Sequence, residues 1–197
     1  MKKAPRSRSS YRKKSRRCSA NKVANRILAV CLDFGDTLAD EASEVKDDTL
    51  TALRAELIPG AGELLQELKR RDYKLALVAD GRPATYSNVL RQHSVYELFD
   101  AFAISEEVGI EKPDPRMFVA ALDALDIELE DYERTVMVGN RLDRDVRGAN
   151  DLGMVSVWID WSSRYRAEPK NDAEVPDFTI HAPLELLDVL DELERVG

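Results

Sequence analysis

The sequence predicts an α/β fold, a three-layer, Rossmann-like, doubly wound parallel sheet. Three observations lead there. Short apolar runs recur between residues 27 and 180, helical stripes separate them, and carboxylates stand at their ends. Strands buried on both faces of a parallel sheet read as unbroken apolar runs, and their alternation with helices indicates βαβ units.

The first run is residues 27–33 (ILAVCLD), which closes on a carboxylate. Similar runs lie at 73–79 (YKLALVA), 101–105 (AFAIS), 135–139 (TVMVG) and 154–160 (MVSVWID), with a weaker one at 177–180 (DFTI). Residues 61–71 place Leu64, Leu65 and Leu68 on one stripe, with Lys and Arg in the last turn, where the helix dipole favours cations. Further helices are expected over 83–93, over 114–125 with Pro115 at a first helical position, and over 142–152. The last covers 183–196, with Leu184, Leu187 and Leu190 on its stripe. Right-handed crossovers then put the first strand in the middle of the sheet. Ligands of such sheets bind beyond the carboxyl ends of the strands, where the winding reverses.

A chain of 197 residues, 44% of them hydrophobic, suits one packed domain, expected over 27–197. No apolar run approaches the roughly 18–20 residues of a membrane span. Two cysteines, Cys18 and Cys31, make no disulfide framework, and no secretory signal is visible; both point to a reducing, cytoplasmic setting.

The net charge of −8 divides unevenly. Residues 1–26 hold eleven Lys and Arg and no acid, so 27–197 carry 18 basic and 37 acidic residues, a net −19. Self-repulsion predicts a disordered tail. A solvated segment, a contact with nucleic acid or another anionic surface, and an organelle transit segment all remain open for it. The acidic body repels phosphate backbones.

The ends of the apolar runs carry the chemistry. They read Asp33-Phe34-Gly35-Asp36-Thr37-Leu38, Ala79-Asp80-Gly81 and Gly139-Asn140, the last followed by Asp143 and Asp145. Glu111-Lys112-Pro113-Asp114-Pro115 precedes a helix. Carboxylates suit a hard, oxygen-seeking cation such as Mg2+, and a cation with lysine suits an anionic phosphoryl group.

These segments (DFGDTL, the ADG end, EKPDP and VGNRLDRD) resemble the four ordered motifs of the haloacid dehalogenase superfamily, most of whose members are phosphatases. The resemblance runs from about residue 27 to 160. It implies the core fold of that family and a catalytic pair, Asp33 as the nucleophile that forms an aspartyl-phosphate and Lys112 as its orienting cation. It also implies a metal site of Asp33, the Gly35 carbonyl, Asn140 and Asp145, and phosphate binding by Lys112 and the main-chain amides of Asp80 and Gly81. The implied cofactor is Mg2+ and the implied partner a phosphorylated substrate.

Two positions depart from the family's pattern. Gly35 replaces the second Asp that moves protons, a step worth about 10²–10⁴-fold. Asp36, one residue later, is either the displaced acid/base or a brace for the turn. Ala79 replaces a phosphate-binding Ser or Thr, and Asp80 brings negative charge that requires a cation beside it, for which Arg82 is a candidate. The resemblance thus implies a phosphohydrolase of weakened activity, with an impaired scaffold or binding protein as the alternative. The family's dehalogenases also lack the second Asp, but the acidic residue at 145 favours phosphoryl chemistry.

Only about twenty residues, 39–58, separate DFGDTL from Pro59-Gly60, room for a loop and one short helix. The expectation is little or no cap and an open cleft. In this family that goes with macromolecular substrates, or with an oligomer whose neighbour supplies the cover. Trp158, Trp161, Arg164, Tyr165 and Arg166 form either a rim or ordinary core and surface. His93 and His181 show no ligand spacing, and Glu106 and Glu107 suit capping or solvation.

Overall fold

The computed structural model describes residues 26–195. The expected disorder of the basic tail falls on residues outside these, Arg26 apart. A six-stranded, all-parallel sheet forms the middle layer. Its strands in chain order are β1 (Ala29–Leu32), β4 (Lys74–Ala79), β5 (Ala101–Ile104), β6 (Thr135–Gly139), β7 (Val155–Ile159) and β8 (Phe178–Ile180). Their spatial order is β5-β4-β1-β6-β7-β8, so β1 is central and the winding reverses beside it. Two further strands, β2 (Val45–Lys46) and β3 (Ala52–Arg54), form a separate antiparallel hairpin.

Side-chain alternation on the buried strands feeds two apolar layers. Val30, Leu32, Leu75, Leu77, Val136 and Val138 face one, completed by α1 (Ala61–Arg70), α2 (Pro83–Gln92) and α6 (Leu186–Arg195). Ala29, Cys31, Ala76, Val78 and Met137 face the other, completed by α4 (Pro115–Ala124) and α5 (Arg147–Leu152). The apolar stripe predicted for the first helix is the one buried: Leu64, Leu65 and Leu68 are each at most 1% exposed. Burial pushes the Cys31 thiol up to about 12, which leaves it an inert core group.

Three local details position the site. Pro115 opens α4 behind Asp114, whose side chain accepts from Arg116 N at 3.0 Å, so the segment ahead of the helix is anchored. A widened π-type turn, Leu142–Val146, leads from β6 into α5, where a plain helix over 142–152 was expected. A short helix, α3 (Ser105–Val108), follows β5 directly.

The segment between β1 and α1 contains one turn of 3₁₀ helix at Glu41–Ser43 and the β2–β3 hairpin. The expected short helix is thus a hairpin, and it is the whole cap. Its strands are too short for alternation to announce them, and Val45, Leu50 and Leu53 on it are exposed. Among the described residues no helix is long and apolar enough to cross a membrane.

Candidate active site

Beyond the carboxyl ends of β1, β4 and β6 lies a cleft of about 390 Å3. Asp33 leaves β1 there, and the chain then turns back at once. The carbonyl of Phe34 accepts from the amides of Thr37, Leu38 and Ala39, and Asp36 N donates to Ala39 O. This tight turn presents Asp33, Phe34 and Gly35 to the cleft. Asn140, Lys112 and Asp80 line it too, with Glu41, Tyr86, Arg141, Arg144 and Tyr165 among the walls.

Lys112 is the centre of the arrangement. It is 4% exposed, and its Nζ donates to Asp33 Oδ1 at 2.6 Å, Asp145 Oδ1 at 2.7 Å and Val78 O at 2.8 Å. Burial opposes its charge, but the carboxylates of Asp145, Asp33 and Asp80 outweigh burial and hold the ammonium above its usual range. All three N–H groups are used, so Lys112 has charge but no further hydrogen bond to offer the cleft.

Asp145, the acidic residue expected at the metal site, lies behind Lys112. It is 1% exposed, is not part of the cleft wall, and spends Oδ1 on Lys112 and Oδ2 on Arg141 N at 2.9 Å. Burial pushes its carboxyl up, the charge of Asp33 adds to that, and Lys112 pulls the other way. A Cβ on Gly139 would collide with the Asp145 carboxyl, so glycine makes the room it occupies. The widened turn after β6 thus carries Asp145 in behind the lysine.

The oxygens that face the cleft and could take a divalent cation belong to Asp33, Gly35 and Asn140. Among the described residues no three His, Cys, Asp or Glu gather as a metal cage. Asn140 Nδ2 is a buried donor without a hydrogen-bond partner among the described residues; a cation would take the oxygen of this amide, not its nitrogen. One carboxylate with two neutral groups is sparse. It fits Mg2+, which keeps several waters and takes one or two carboxylates together with phosphate oxygens.

Three expectations at the other strand ends are corrected. Gly81 N donates to Ser105 Oγ at 2.9 Å, so this amide is not free for phosphate. Asp80 is neutralised by Arg144, whose Nη1 donates to its Oδ2 at 2.9 Å; its Oδ1 accepts from Lys112 N at 2.9 Å. Arg82 is not that cation, because it turns to the Thr49 carbonyl and Glu106. Asp36 is fully buried and outside the cleft wall; its Oδ2 accepts from Arg164 Nε at 2.8 Å and its Oδ1 from Glu41 N at 3.1 Å. It braces the turn.

Of the aromatic residues in and after β7, Tyr165 reaches the cleft and lies under Arg141, with 4.3 Å between guanidinium carbon and ring centroid. Trp158 donates to Asn140 O at 3.0 Å, and Trp161 packs on the core. Glu41 was not anticipated. It is held at the cleft by a contact that only the tertiary fold creates.

A family model for haloacid dehalogenase-like hydrolases matches residues 19–153. The chain belongs to that family. The glyceraldehyde 3-phosphate phosphatase of Methanopyrus kandleri is 41% identical over 131 residues, 66% of this chain and 55% of that protein. The phosphoserine phosphatase of Thermus thermophilus is 37% identical over 127 residues, 64% of this chain and 48% of its own. The chain therefore spans about half the length of these curated relatives. The magnesium-bound structure of the haloacid dehalogenase-type hydrolase YfnB from Bacillus subtilis matches 84% of this chain and 99% of its own, with a TM-score of 0.69 at 18% identity. At that identity the likeness speaks for the fold alone.

Proposed function

We propose that this chain is a phosphohydrolase of the haloacid dehalogenase-like family that cleaves small phosphate monoesters with Asp33 as nucleophile. The observation that carries the reading is the 2.6 Å contact between Lys112 Nζ and Asp33 Oδ1 in the cleft. The ammonium aims Asp33, and its charge offsets that of an arriving phosphoryl group. Asp145 holds Lys112 in place from the protein side. Asn140 lines the same space.

Mg2+ bound by Asp33, Gly35 and Asn140 would supply charge neutralisation for the phosphoryl oxygens. A cleft of about 390 Å3 suits a small ester, and the relatives' substrates, both small phosphate esters by name, support the same size class. Gly35 and Ala79 support a slower reaction than the family's usual residues would allow.

Turnover of p-nitrophenyl phosphate tests the proposal. It should need a divalent cation and vanish in Asp33→Asn. Equal turnover by wild type and Asp33→Asn would overturn it.

A further inference from the structure

Proton transfer is the part of this reaction for which Gly35 supplies no side chain. The space beside Gly35 is nevertheless filled by a carboxyl. A Cβ built on Gly35 would collide with Glu41 Oε1 and lie 2.8 and 2.9 Å from Glu41 Cγ and Cδ. Glu41 therefore lies against the turn that presents Asp33, where a side chain at position 35 would begin. Both Glu41 and Asp33 line the cleft.

The two oxygens of Glu41 differ. Oε2 faces Tyr165 OH and Arg164 Nε, each at 3.4 Å. Oε1, the atom nearest Gly35, makes no hydrogen bond among the described residues. The backbone under it is pinned, because Glu41 N donates to the buried Asp36 at 3.1 Å. The competing carboxylates are committed elsewhere. Asp80 is bound by Arg144 and Lys112 N, Asp145 by Lys112 and Arg141 N, and Glu44 pairs with Lys46 at 2.6 Å.

The geometry points to Glu41 as the carboxyl that exchanges protons with substrate and water in this cleft, in place of the side chain that Gly35 lacks. This rests on the reading of Asp33 as nucleophile. In the first step Asp33 bonds to phosphorus as the phosphorus–oxygen bond to the leaving group breaks. The proton on Glu41 passes to the departing oxygen, and an alcohol leaves. In the second step Glu41 takes a proton from a water whose oxygen bonds to phosphorus. The bond to Asp33 breaks, inorganic phosphate leaves, and Asp33 and the protonated Glu41 are restored. The net change is ester plus water to alcohol plus phosphate. A nitrophenolate leaves without a proton, whereas an alkoxide does not, so esters of alcohols depend on Glu41 most.

The test compares glycerol 2-phosphate with p-nitrophenyl phosphate in wild type, Asp33→Asn, Glu41→Gln and Glu44→Gln. Glu41→Gln should lose about 10²–10⁴-fold in kcat/KM on the alkyl ester. On the aryl ester it should still release a burst of nitrophenolate matching the enzyme present, then stall. Gly35→Asp combined with Glu41→Ala, which vacates the space the new side chain needs, should regain at least tenfold over Glu41→Ala alone. Wild-type turnover by Glu41→Gln on the alkyl ester, with Asp33→Asn inactive, overturns the role of Glu41 and leaves that of Asp33 standing. Equal losses on both esters without a burst, or a selective alkyl loss in Glu44→Gln instead, do the same. Indifference to Asp33→Asn overturns both.

Discussion

Asp145 and Asp33 share one ammonium, at 2.7 and 2.6 Å from Lys112 Nζ, yet only Asp33 lines the cleft. The pair divides a single charge between an interior anchor and a partly buried carboxylate that faces the cleft. Removing the ammonium leaves two carboxylates facing the same hole. Breaking a buried ion pair from one side costs about 3–5 kcal/mol, because the remaining charge is uncompensated. Lys112→Met should therefore lose stability on that scale in urea unfolding at pH 7. A loss near that of an ordinary surface substitution would contradict the arrangement.

The same variant has a predictable pH dependence. Burial already raises the Asp145 carboxyl above its usual 3.8, and Lys112 is the group that pulls it back. Without Lys112 the folded-state value rises further above the unfolded one. A raised group contributes stability that is fully present below its unfolded pKa and is lost as pH rises through the folded value. Asp145 already sits at about 7 with Lys112 present, so the deficit of Lys112→Met against wild type should stay level from pH 4 to about 7 and widen as pH rises toward 9. Urea midpoints of both proteins across that range measure it, and a deficit independent of pH would contradict the assignment.

The sheet was legible because its signals are local. Each apolar run from residue 27 to 180 became a parallel strand, and Leu64, Leu65 and Leu68 fixed the buried face of α1. Asp33 and Lys112 were legible as strand-end and pre-helix residues in a known order. The remainder depends on distance in space. Nothing in the spacing of 80 and 144 announces an ion pair between Asp80 and Arg144. Asp145 looked like a cleft residue because the widened turn that carries it inward has no sequence period of its own. The hairpin at Val45–Lys46 and Ala52–Arg54 escaped because two- and three-residue strands with exposed faces show no alternation.

Asn140 contributes an amide where a carboxylate would bring charge, and it is buried at the cleft wall with Nδ2 unpartnered. Magnesium affinity follows ligand charge. Asn140→Asp places a second anion beside Asp33, so titration calorimetry on the protein without substrate should show Mg2+ binding at least tenfold tighter than wild type. Two anions closer together also repel each other, so the variant should be less stable than wild type without the cation and recover when it is added. Unchanged affinity would remove Asn140 from the cation's surroundings.

Asp36 holds the turn and the loop after β7 together, and two of its properties make separable demands on a replacement. Its backbone is left-handed, with φ of 49°, a conformation that Asp and Asn tolerate better than other residues carrying a Cβ. Its carboxylate accepts from Glu41 N and from Arg164 Nε while fully buried. Asp36→Asn keeps the conformational tolerance and one acceptor oxygen. Asp36→Ala loses both, and leaves the Glu41 amide without its partner, at about 1–3 kcal/mol. Stability in chemical unfolding should therefore rank wild type, Asp36→Asn, Asp36→Ala. Because Arg164 ties the loop to the turn only through acidic partners, Arg164→Ala should open the segment 161–170 to trypsin, at Arg166 first, while the sheet stays resistant. Cleavage no faster than in wild type would show that the loop is held without Arg164, by contacts such as Arg166 with Glu174.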